Sequence, residues 1–468
     1  MLGQRASWAG WLRQRVWLWP ALAVLAATLP QLWHGRLVID SGMYAGVSLL
    51  AWRQGHFWTL MTGAEPYFNK PPLAFWVHGL SMRLFGAELW AMRLPNVLAM
   101  IACVWLVVAI GGRLGSRRVG MVAGVMLAFT YAFFLHAQRF VLDYMHTALV
   151  LATVWCVLAA ATRRRWAWLI GAGAATGLAM MTKPFFALLG LAVMCVWLIP
   201  RRPGFRGWLW AGGAALVALA VAAPWHVSMV MQHGSPFVDR YLGREVIGRG
   251  TGEAAVAEPW WWYLAHIATT FWPWLALVGL GVWQWAEDLW RGQSLRRHRD
   301  RRFLWLCVLW CVVWLVLLSL FADKRDRYMM HVLPMLCLLA AVWWVRHAPA
   351  VVRRFRIDWA VAGAVAVSIG LTLLPVRFFS EPHADRMAVV QFIRDHPHAT
   401  FYLGAGLDAR DGGRFYFYTN HWPRPLPGDA AAVPPESYLI EHRGGAATGV
   451  PANGLVLDRG EHRIVRMR

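Results

Sequence analysis

Residues 90–118 read WAMRLPNVLAMIACVWLVVAIGGRLGSRR. The stretch 90–112 is an apolar run of about two dozen residues, long enough to cross a hydrocarbon core as a helix. The stretch that follows, GGRLGSRRVG, is a short arginine cluster. The same alternation recurs along the chain. It predicts eleven spans, at 16–34, 90–112, 119–135, 145–162, 166–182, 185–200, 208–230, 262–284, 303–321, 328–345 and 357–376. The runs are continuous rather than alternating, which excludes a transmembrane β-barrel. The fold class is therefore a polytopic α-helical membrane protein.

Composition agrees. The 468 residues are 59% hydrophobic and only 15% charged, far too few charges for a soluble domain of this length. The 32 tryptophans suit membrane–water interfaces. The formal charge of +22 with a pI near 10.8 invites a nucleic-acid partner. The arginines argue against one, because they lie in short clusters between apolar runs, with no zinc-finger spacing or stacking platform. Such clusters orient the chain and attract anionic membrane lipids. The six cysteines fall inside apolar runs and read as small apolar residues, not a disulfide framework. The first run follows Arg5, Arg13 and Arg15 and reads as an uncleaved signal anchor.

Alternate connections differ in charge. The N-terminal tail, GGRLGSRRVG, ATRRRW, PRRPGFRG, RGQSLRRHRDRR and RHAPAVVRRFR are all arginine-rich, which assigns them to the cytoplasm. The other set, 35–89, 136–144, 231–261, 322–327 and the tail from 377, then faces outward, giving an N-in/C-out topology. Residues 1–376 form the expected membrane domain, with a first outer loop at 35–89 and a large one at 231–261. Residues 377–468 form a small α+β domain outside the membrane. In it DRMAVVQFIRDHP has helical periodicity, while TFYLG, RFYFY, SYLIEH and HRIVRM read as strands.

Only three of the 46 basic residues are lysines: Lys70, Lys183 and Lys324. All three fall on the outward side, where basic residues are normally scarce. An anionic ligand at the outer surface explains them. Snorkelling to lipid phosphate explains any one of them singly. In the first outer loop, Met43, Val47 and Leu50 recur at helical spacing and predict an amphipathic helix on the membrane surface. Asp40 stands at its start, where it fits both a capping and a catalytic role. In EPYFNKPPLAFW the two prolines after Lys70 stiffen the backbone and start a second helix.

These motifs together resemble a family. Asp40 and Tyr44 in D-x-x-x-Y, with N-K-P-P about 25 residues later, look like the first loop of the GT-C glycosyltransferases. The likeness is greatest to the lipid A aminoarabinose transferase and the protein O-mannosyltransferase superfamily. HAQRFVLDYMHTAL resembles the second outer loop, with Asp143 at the acidic position. TKPFFALL with Lys183 resembles the turn after the fifth span. FVDRYLGREVIGRG followed by EPWWWY resembles the large loop, and ADKRDRYMMHVLP the late K-x-x-x-Y motif ending at Tyr328.

The resemblance implies a polyprenyl-phosphate-sugar donor and a lipid or other envelope acceptor. Transfer breaks the bond from anomeric carbon to phosphate oxygen, so charge grows on the departing phosphate. Such a site needs fixed cations more than a general acid. Lys70, Lys183, Lys324, Arg139, Arg244 and Arg327 are the candidates, lysine as a point charge and arginine as a two-oxygen grip. Asp40 is the expected base or orienting carboxylate, with Asp143 and Glu245 in reserve. Tyr44, Tyr67 and Tyr328 are further expected substrate-binding residues. A single displacement would invert the anomeric centre. A divalent metal has room near the acidic loop residues, although no ligand cluster stands out. The arginine-, alanine- and tryptophan-rich composition suggests a GC-rich bacterial genome, hence the bacterial inner membrane with the site facing the periplasm. The alternatives are protein O-glycosylation by the same chemistry and, in a different class, a lipid-linked sugar flippase.

Overall fold

The computed structural model describes residues 39–134, 139–160, 165–198, 204–248, 258–271, 274–290, 298–347, 383–404, 406–427, 436–443, 454–459 and 462–467, with single residues elsewhere from 22 on. The span expected at 357–376 lies outside the described residues, as does most of that at 16–34. Two compact units make up the chain. One comprises Met1–Pro30, Asn96–Ala137 and Leu142–Leu374; the other comprises Gln31–Pro95, Gln138–Val141 and Pro375–Arg468.

The first unit is helical. It contains most of α3 (Leu89–Leu114), α4 (Arg117–Ala128) and the single turn α5 (Tyr131–Phe134). It continues with α6 (Asp143–Ala159), α7 (Arg165–Met180), α8 (Pro184–Leu198) and α9 (Gly204–Val238). A π-helical segment, Asp239–Gly248, extends α9. After it come α10 (Trp262–Thr270), α11 (Trp274–Trp290) and α12 (His298–Leu320), a 3-10 turn at Asp326–His331, and α13 (Leu333–His347). Among the described residues, Leu89–Leu114, Gly204–Arg244 and Phe303–Leu320 are long and apolar enough to cross a membrane, and Asp143–Ala159, Pro184–Val196 and Leu333–Arg346 are shorter apolar helices. The single span expected at 262–284 is two helices, α10 and α11.

Small residues set the packing here, as is usual where lipid offers no hydrophobic drive between helices. A Cβ on Gly173 would lie 2.4 Å from the Ala214 carbonyl oxygen, so α7 and α9 touch backbone to backbone. Thr153 on α6 and Thr176 on α7 join hydroxyls at 3.1 Å. The result is a multi-pass helical membrane fold.

The second unit is mixed. It holds α1 (Ile39–Gln54), a short hairpin of β1 (Met61–Thr62) and β2 (Glu65–Pro66), and α2 (Leu73–Phe85). Its C-terminal part holds α14 (His383–Asp395), β3 (Phe401–Leu403), α15 (Ala409–Thr419), β4 (Arg424–Pro425), β5 (Tyr438–His442), β6 (Leu455–Arg459) and β7 (His462–Arg466). The five strands form one sheet in the order β4-β3-β5-β7-β6. β3 pairs in parallel with β4 and β5, and β7 runs antiparallel to β5 and β6. Val389, Val390 and Ile393 of α14 pack with Phe401, Phe415, Ile440 and Ile464 to form the core.

Two expectations change here. First, α1 is not an amphipathic surface helix. Every residue from Ser41 to Leu50 is buried, because α15 covers a face that sequence periodicity leaves open. Gly42 and Gly46 permit the approach: a Cβ on Gly46 would stand 2.6 Å from the Gly413 Cα. Second, RFYFY is not a strand. Asp408 and Asp411 form a capping box that starts α15, and Asn420 ends it in a left-handed conformation. This capping outweighs the strand preference of the aromatic residues. The residues from Pro375 onward share the second unit with Gln31–Pro95.

Candidate active site

Within the first unit three connections deliver charged side chains to one place. Asp143 opens α6, where the positive end of the helix dipole favours a carboxylate. Lys183 occupies the turn between α7 and α8, fixed because Pro184 can begin a helix but not continue one. Arg327 and Tyr328 sit on the 3-10 turn. Lys183 Nζ donates to Asp143 Oδ1 at 2.5 Å, and Arg327 Nε lies 3.8 Å from Asp143 Oδ2. Asp143 is 1% exposed and Lys183 9%. The ammonium also stands 4.8 Å from the centre of the Tyr328 ring, a cation–π distance.

Burial by itself would raise the Asp143 carboxyl. The charges of Lys183, Arg327 and His331 outweigh it and hold the group below the ordinary carboxylate range. Asp143 is thus an ionised counter-ion within a cationic cluster. Lys324, also largely buried, donates to the carbonyls of Phe321 at 2.6 Å and Glu258 at 3.1 Å. Desolvation lowers its ammonium pKa below the usual lysine value, with Glu258 opposing.

The 322–331 connection is tied down from outside the cluster. The Tyr263 hydroxyl accepts from the Arg325 N–H at 3.1 Å and donates to the Arg325 carbonyl at 3.3 Å. His136 Nε2 lies 3.2 Å from Asp326 Oδ2. Asp326 Oδ1 accepts from the Arg327 N–H at 2.8 Å.

The remaining expected residues fall elsewhere. In the second unit, Asp40 lies in the first turn of α1 and is half-buried. Its charge, after those of the Asp408 contacts, helps hold the Arg410 guanidinium above its ordinary range. Tyr44 is buried, edge-on to Phe75 at 5.4 Å and to Phe140 at 5.5 Å. Tyr67 meets Phe75 at 5.4 Å. Lys70 is half-buried just before α2, and Arg139 is half-buried in the 138–141 connection. Arg244 is exposed on the π-helical segment of the first unit. Glu245 shares that segment, but its side chain lies outside the described residues.

Two residues that the sequence did not single out are His146 and His331. Both are buried beside the cluster. Their spacing was a usable signal: His146 is one helical turn after Asp143, and His331 is four residues after Arg327. Among the described residues, no group of three or more His, Cys, Asp or Glu side chains could hold a metal ion.

A family model described as dolichyl-phosphate-mannose-protein mannosyltransferase matches residues 69–227, and one described as the Alg9-like mannosyltransferase family matches residues 257–394. A crystal structure of ArnT from Cupriavidus metallidurans bound to undecaprenyl phosphate superposes with a TM-score of 0.78, covering 98% of each chain at 18% identity. The chain shares the fold of that structure. In sequence the chain is 28% identical over 343 residues to the undecaprenyl phosphate-alpha-4-amino-4-deoxy-L-arabinose arabinosyl transferase of Pseudomonas savastanoi pv. phaseolicola, covering 70% of this chain and 60% of that one. With the Pseudomonas aeruginosa (strain LESB58) protein of the same name it shares 30% over 364 residues, covering 73% and 60%. It therefore spans about 60% of the length of these curated relatives. An oligosaccharyltransferase from Archaeoglobus fulgidus shares the ArnT-like fold more distantly, at a TM-score of 0.56 and 10% identity over 94% of this chain and 70% of that one.

Proposed function

We propose that this protein is an integral membrane glycosyltransferase that moves a sugar from a polyprenyl-phosphate carrier to a lipid A-like acceptor. The bacterial inner membrane holds it in an N-in/C-out arrangement of about eleven spans, with the reaction on the periplasmic side. The observation that carries this reading is the cluster of buried Asp143 and Lys183 with half-buried Arg327, set in an ArnT-like fold. Two cations against one carboxylate leave a net positive charge. Such a preorganised charge suits a departing lipid phosphate and costs little reorganisation as the bond breaks.

The roles follow from the chemistry. Lys183 and Arg327, with Lys324 and Arg244, meet the phosphate charge, and Asp143 holds Lys183 and Arg327 in place; in the second unit, Lys70 and Arg139 contribute to donor binding. Asp40 orients the acceptor and takes its proton when the acceptor is a hydroxyl. When the acceptor is already a phosphate anion, Asp40 instead faces the positive charge developing on the sugar ring. One nucleophile displacing phosphate directly inverts the anomeric carbon. Tyr44, Tyr67, Tyr328 and Glu245 contribute to substrate binding.

Purified protein in vesicles, given undecaprenyl-phosphate carrying a radiolabelled sugar and lipid A, tests the reading. Label on lipid A is the expected result. Label on protein substrates alone would move the assignment to protein O-glycosylation. Label that crosses the bilayer still attached to its carrier would make the protein a flippase.

A further inference from the structure

His146 Nδ1 lies 2.6 Å from His331 Nε2. The other nitrogen of each ring reaches a main-chain carbonyl: His146 Nε2 meets the Lys183 oxygen at 3.1 Å, and His331 Nδ1 meets the Tyr328 oxygen at 3.0 Å. A carbonyl only accepts, so each outer contact is a hydrogen bond when its ring nitrogen carries the hydrogen. A neutral imidazole has one N–H. Two neutral rings arranged this way would set two lone pairs against each other at the centre, with no hydrogen between them. Three contacts require three protons, and a neutral pair holds two.

The surroundings are divided. Both rings are buried, which disfavours charge. Lys183 repels a further proton, and Asp143 attracts one. His331 lies flat on Trp314, with centroids 4.5 Å apart and planes at 8°, and it stacks on Phe186 at 5.7 Å. Aromatic faces stabilise a cation placed over them. Trp310 Nε1 donates to the His331 carbonyl at 2.8 Å and fixes the residue's backbone. The two outer carbonyls belong to Lys183 and Tyr328, on the two connections that also bring Lys183 and Arg327 to Asp143.

We infer that His146 and His331 hold one extra proton between them, and that this pair positions the Lys183 turn against the Arg327–Tyr328 turn. The inference rests on the transfer reading above, because the cluster being positioned is the one assigned to the donor phosphate. The histidines are positioning residues and act through Lys183 and Arg327. Loss of the shared proton leaves two lone pairs facing each other, so the pair separates and the two turns lose their register.

Nitrogen-15 NMR of the full-length protein with labelled histidine, in detergent at a pH where the wild type is folded, counts the protons directly. Spectra of His146→Gln and His331→Gln assign the signals. The expected result is three N–H protons over the two rings, one of them shared. Two protons would overturn the inference whether or not the protein transfers sugar. In transfer assays with undecaprenyl-phosphate-linked sugar, each variant should lose about 10²-fold in kcat, with the acceptor KM unchanged. The wild-type rate should fall as rising pH removes the shared proton, and the variants should lack that limb. Variants with wild-type kcat and pH profile would also overturn it. A wild type that folds, shows the shared proton and transfers no sugar would sink the transfer reading while leaving the proton assignment standing.

Discussion

Lys183 Nζ and Asp143 Oδ1 meet at 2.5 Å between two buried side chains. A pair held out of water depends on both members, since removing one strands the other's charge. Asp143→Asn should therefore lower unfolding stability by about 3–5 kcal/mol, read as a fall in melting temperature in detergent. The double variant Asp143→Leu with Lys183→Met should recover most of that stability and none of the transfer activity. A stable, active double variant would show that the pair serves folding alone.

The same carboxyl predicts a pH response. Its folded pKa lies below its ordinary value of 3.8. Its contribution is therefore complete above the unfolded pKa and disappears as pH falls through the folded one. Melting temperature should show no Asp143-linked change between about pH 5 and 8, and should drop more steeply below about pH 4 for the wild type than for Asp143→Asn.

Lys324 behaves in the opposite sense. Desolvation lowers its pKa from 10.5, so it loses its charge at a lower pH than an ordinary lysine. Donor KM should rise as alkaline pH passes through that lowered value. Lys324→Arg, with a guanidinium that stays protonated, should flatten the rise. An identical profile in the arginine variant would remove Lys324 from the phosphate site.

Asp40→Asn should fold normally and lose about 10²–10⁴-fold in transfer rate. Circular dichroism and a labelled-sugar assay check the two halves. Wild-type turnover by the variant would leave Asp40 as a helix-end residue with no part in the chemistry.

Gly46 stands where α15 touches α1. An added Cβ would lie 2.6 Å from both the Cα and the carbonyl oxygen of Gly413, and backbone cannot step aside cheaply. Gly46→Ala should cost about 1–3 kcal/mol through overpacking. Gly213→Ala, with nothing within 4 Å, should be neutral or slightly stabilising. Melting curves of the two variants make the comparison.

Several features were open to reading before any coordinates. The apolar runs predicted helices that the structure places at Leu89–Leu114, Gly204–Val238 and His298–Leu320. Periodicity also marked α14, and alternation marked β3, β5 and β7. The prolines after Lys70 announced α2. RFYFY misled because its aromatics favour strands, while the decisive residues, Asp408 and Asp411, lie at the N-terminal end of the helix they start. The burial of α1 was hidden because its covering partner, α15, is more than 350 residues away in the chain.

By itself the sequence determined the solvent this chain is made for. It also determined the short stock of lysines, because the lengths of apolar runs and the rarity of lysine are local properties of the chain. Tertiary structure alone decided that Lys183 answers to Asp143, that two apparently unrelated histidines share a contact, and that α15 lies on α1. Those pairings join residues 40, 185 and about 370 positions apart. No periodicity or spacing rule reaches that far, because only the packing of distant helices determines which buried polar groups must satisfy one another.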